Sequence, residues 1–80
     1  MMYATLTQSL RALEVVRDAD VRRADPTHYR EAMARALIVD NAITATLQLA
    51  AAVKAAAAGD TAPAVTVVAA LRLDELEVRS

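Results

Sequence analysis

Residues 36–58 form a run of 23 positions that carries two charges, Asp40 and Lys54, and no Gly or Pro. The run is dominated by Ala, the strongest helix former, so it predicts one long helix. Such a helix is apolar around most of its circumference and must be covered on more than one side. A chain of 80 residues has little else with which to cover it. At this size folding buries only about 60 % of the unfolded surface.

The usual supplements to a small core are missing. There is no Cys and a single His, which excludes disulfides, thiolate metal sites and imidazole clusters. Oligomerisation is the remaining common stabiliser. Phe and Trp are absent and Tyr occurs only at Tyr3 and Tyr29, so the core must be aliphatic. The net charge of −1 lacks the basic excess that phosphate neutralisation demands of a nucleic-acid-binding domain. Met1–Leu6 has neither a basic n-region nor an apolar h-region, so no signal peptide is expected. With no Cys, a cytoplasmic location is expected. A membrane span through residues 36–58 is disfavoured, because Asp40 and Lys54 would each cost roughly 2.5–3.5 kcal/mol near mid-bilayer.

The periodicity predicts three elements. A first helix is expected from about Met2 to Arg22, with Met2, Leu6, Leu10, Leu13 and Val16 on one face. Arg17 and Asp20 fall back on that apolar side, where an i, i+3 pair in a frayed, solvated last turn is expected. Asp25-Pro26 then starts a second helix, with Asp25 as N-cap and Pro26 at the first helical position. This helix should run to Ala58 and stop at Gly59 in a left-handed C′ conformation. Its wheel has one apolar sector with Ala32, Ala36, Val39, Ile43, Leu47 and Ala50, and a second with Ile38, Ala42, Ala45, Leu49 and Val53. The short link makes the two helices antiparallel neighbours. Pivoting near Ala24, they should set Leu6 beside Ile43, Leu10 beside Val39 and Leu13 beside Ala36. Residues 64–78 alternate at Val65, Val67, Ala69, Leu71 and Leu73, which suits a strand. No second strand is evident, so a short helix is the preferred reading, with a strand as the alternative.

Catalytic and metal-binding constellations are not expected. His28, in the first turn of the second helix, reads as a surface residue near a cap, because no convergent pocket can be built around it. Asp74-Glu75-Leu76-Glu77 lacks the shaped loop and ligand number of a Ca²⁺ site. No catalytic residue, metal or cofactor is expected. Arg11, Arg17, Arg22, Arg23, Arg30 and Arg35 all precede residue 36, but Glu14, Asp18, Asp20, Asp25 and Glu31 are interleaved with them. Interleaved signs point to a solvated, salt-bridged surface.

Thr27-His28-Tyr29-Arg30-Glu31-Ala32, followed by Ala45-Thr46-Leu47-Gln48-Leu49-Ala50-Ala51-Ala52, resembles a phrase in uncharacterised small Ala-rich helical proteins of actinobacteria and their phages. The resemblance implies a bacterial or phage accessory protein and carries no activity or site residues.

The sequence therefore predicts one all-α domain over residues 1–80: a helical hairpin with a long second helix and a short C-terminal helix, assembled into a homo-oligomer, dimer or larger. The expected function is non-catalytic interaction or assembly, through self-association and binding of another protein. Val39, Asp40, Ile43, Leu47, Ala50 and Lys54 are the candidate self-association residues. In an antiparallel crossing at Leu47, Asp40 of each copy would face Lys54 of the other. Within one chain, Asp40 would instead pair with Arg11 or bond Ser9. The alternative function is a small nucleic-acid-binding regulator that uses Arg22, Arg23 and Arg30 at the hairpin tip.

Overall fold

Thr5 sets where the first helix begins. Its hydroxyl accepts from the Gln8 backbone N–H at 3.2 Å, and the Gln8 side chain accepts from the Thr5 N–H at 2.9 Å. This reciprocal capping box satisfies two of the donors a helix start leaves unpaired. In the computed structural model, which describes residues 5–77, α1 accordingly spans Leu6–Arg23. The start expected near Met2 lies outside the described residues, as do Met2's place on the apolar face and Val78. Arg22 and Arg23 close the last turn, where cations suit the negative end of the helix dipole. That turn is intact rather than frayed.

Asp25 caps the next element as expected, with a difference in where regular helix begins. The His28 N–H donates to both the Asp25 carbonyl and carboxylate oxygens at 3.0 Å. Residues 26–28 form a turn, and α2 spans Tyr29–Ala57. At its end, Gly59 takes φ +94°. The Gly59 N–H donates to Ala56 O at 3.0 Å and the Asp60 N–H to Ala55 O at 2.9 Å. These are the two bonds of a Schellman motif, whose C′ residue must be left-handed and is therefore best a Gly.

The C-terminal segment is helical, as preferred. α3 spans Ala62–Ala70 and a 3₁₀ turn covers Leu73–Glu75. Local chemistry decides this. The Asp60 carboxylate accepts from the Ala62 N–H at 3.2 Å, and Pro63 sits in the first turn, where its missing N–H costs nothing. Among the described residues there is no strand that could pair with a β-form of this segment. Arg72 follows α3 with φ +52°, a left-handed cap without Gly.

The chain clusters into two compact units, residues up to Ile43 and residues from Thr44 onward. In the first, α1 runs antiparallel to the start of α2. Two crossed ion pairs show the direction: Arg17 with Asp40, and Asp20 with Arg35. Leu10, Ala32, Ala36 and Ile43 are buried and Val39 is half-buried, so α1 covers the part of the first apolar sector of α2 from Ala32 to Ile43. In the second unit, Leu49, Ala52, Val53 and Ala56 of α2 share a wholly apolar groove of about 140 Å³ with Val67 and Val68 of α3. Among the described residues of this unit, Ala52 is the buried one.

The hairpin register differs from expectation. Paired residue numbers sum to 57 and 55, not roughly 49. The expected pivot at Ala24 assumed regular helix from Pro26; with the turn at 26–28 the pivot falls near His28. Leu13, not Leu6, is then level with Ile43, and Leu10 is not opposite Val39. Leu10 is still buried, at 9 % exposure, whereas Val15 is 64 % exposed. Leu10→Ala should therefore destabilise the protein by about 2–5 kcal/mol, and Val15→Ala by less than about 0.5 kcal/mol. Denaturant unfolding measures both, and equal effects would refute this assignment of the α1 faces.

Candidate functional site

Ion pairs cross between α1 and α2 in the first unit. Arg17 hydrogen-bonds Asp18 through Nε at 3.0 Å and Asp40 through Nη1. Arg35 grips both carboxylate oxygens of Asp20, at 2.9 and 3.0 Å. The expected Arg17–Asp20 pair within α1 is thus replaced by bonds that cross to α2. A helix-face count gives both residues an apolar-side position but cannot see the facing helix that supplies their partners.

The arrangement selects one register. Sliding α1 by about a turn one way brings Asp20 level with Asp40; sliding it the other way brings Arg17 level with Arg35. Both alternatives place like charges together, which disfavours them. Alanines at positions 32 and 36 are too small to select a register by shape alone.

The ion pairs shift the titration of their members. The hydrogen bonds from Arg35 hold the Asp20 carboxyl below the ordinary carboxylate range, against a smaller opposing effect of desolvation. Arg35 is raised, first by its hydrogen bonds to Asp20 and then by that carboxylate's charge. Arg17 is raised chiefly by its bond to Asp18, with Asp40 adding to it and partial burial opposing it.

The candidate self-association residues fall into two sets. Ile43 is buried, Val39 is half-buried and Asp40 is bonded to Arg17 in the first unit. The partner of Asp40 is therefore neither Arg11 nor Ser9, and Asp40 does not wait unpaired for a second chain. In the second unit Leu47 and Lys54 are exposed and Ala50 is half-buried. Lys54 has no ion-pair partner among the described residues.

Of the candidate nucleic-acid contacts, Arg22 donates at 3.4 Å to the backbone carbonyl of Asp18, while Arg23 and Arg30 are exposed. Asp25 and Glu31 share that tip, so no uninterrupted basic patch forms. His28 Nδ1 lies 2.9 Å from its own cap residue, Asp25. Arg72 pairs with Glu75 at 2.6 Å, so part of the acidic tail is locally engaged. Among the described residues no group of three or more His, Cys, Asp or Glu could hold a metal ion.

Two open grooves flank the α1–α2 contact. One, of about 590 Å³, is lined by Arg17, Val21, Met33, Ala36 and Asp40 among others. The other, of about 600 Å³, is lined by Val15, Val16, Ala19 and Val39, with Arg23 and the Asp20–Arg35 pair. Neither lining includes a Ser, Thr or His that could act as nucleophile or base. Both combine aliphatic side chains with arginines and aspartates. In comparisons with known proteins, the chain matches no family model, no curated protein and no solved structure.

The Asp20–Arg35 bridge gives a pH prediction. Because folding lowers the Asp20 pKa, the stability it contributes is present in full above the unfolded value. That stability is lost as pH falls through the folded value. Asp20→Asn should therefore lower the melting temperature at pH 7, and the gap from wild type should close as pH drops below about 4. A gap of the same size at pH 7 and pH 3 would contradict the bridge.

Proposed function

We propose that the protein is a non-catalytic interaction or assembly protein that acts by associating with itself and with another protein. One observation carries this reading. α2 contains an 18-residue stretch of mean hydropathy 1.5, of which 17 % is buried. Ile38 and Val53, each about two-thirds exposed, are among the residues left uncovered. Apolar surface left open on this scale marks a contact site.

By length and composition the same helix could cross a membrane. Its charges argue for a protein partner instead. Asp40 and Lys54 would enter the hydrocarbon, and Asp40 would take Arg17 of α1 with it. Charged groups at that depth are costly even when paired. A cytoplasmic accessory protein of a phage or of its actinobacterial host is the class the sequence resemblance supports.

Sedimentation equilibrium at 1–100 µM (roughly the range in which specific complexes assemble), without detergent, should give a dimer or larger species. A monomer throughout that range would contradict self-association. Co-sedimentation with lipid vesicles, coupled to a detergent requirement for solubility, would assign the surface to a membrane.

A further inference from the structure

We draw no further inference here: the strongest candidate, the wholly apolar groove of about 140 Å³ that Leu49, Val53 and Ala56 of α2 form with Val67 and Val68 of α3, offers no polar group to select an occupant, and nothing in the structure shows what covers it.

Discussion

Alanine is the constraint on which the rest of the structure depends. It makes α2 helical over 29 residues and lets neighbouring helices approach closely, but an alanine methyl adds only about 0.8 kcal/mol of burial. Of the buried core residues Leu10, Ala32, Ala36, Ile43 and Ala52, three are alanines. Such a core supplies little energy and little shape. Two consequences follow: the helices need another device to fix their alignment, and apolar side chains such as Ile38, Leu47 and Val53 stay exposed.

The crossed ion pairs are that aligning device. Exposed pairs contribute little to stability, so their role here lies in selection. Arg17–Asp40 and Asp20–Arg35 are satisfied together in one register, and a shift of about a turn either way opposes like charges.

Much of the fold is legible in the sequence because it is local. Asp25-Pro26, Gly59 and Asp60-Thr61-Ala62-Pro63 punctuate the chain through backbone geometry and capping, which depend on neighbouring residues alone. The helical form of residues 62–70 follows from the same chemistry once no partner strand is available. The Thr5–Gln8 capping box was equally legible as a Thr followed three residues later by Gln, a signal overshadowed by the apolar spacing that begins at Met2. What the sequence does not show is tertiary. The three-residue turn after Asp25 moves the hairpin pivot from Ala24 to near His28 and re-pairs both helices. The partners of Asp20 and Asp40 follow from that pivot, and helix-face periodicity does not contain it. The candidate surface was legible in composition, as excess apolar area. Its division into a part covered by α1 and a part left open depends on the register.

Self-association of this chain is the central proposal. The melting temperature as a function of protein concentration tests it most directly, because association that favours the folded state raises the melting temperature by mass action. A melting temperature that climbs steadily as concentration is raised about a hundredfold is the result this account predicts. A reversible transition at the same temperature across that range would contradict it.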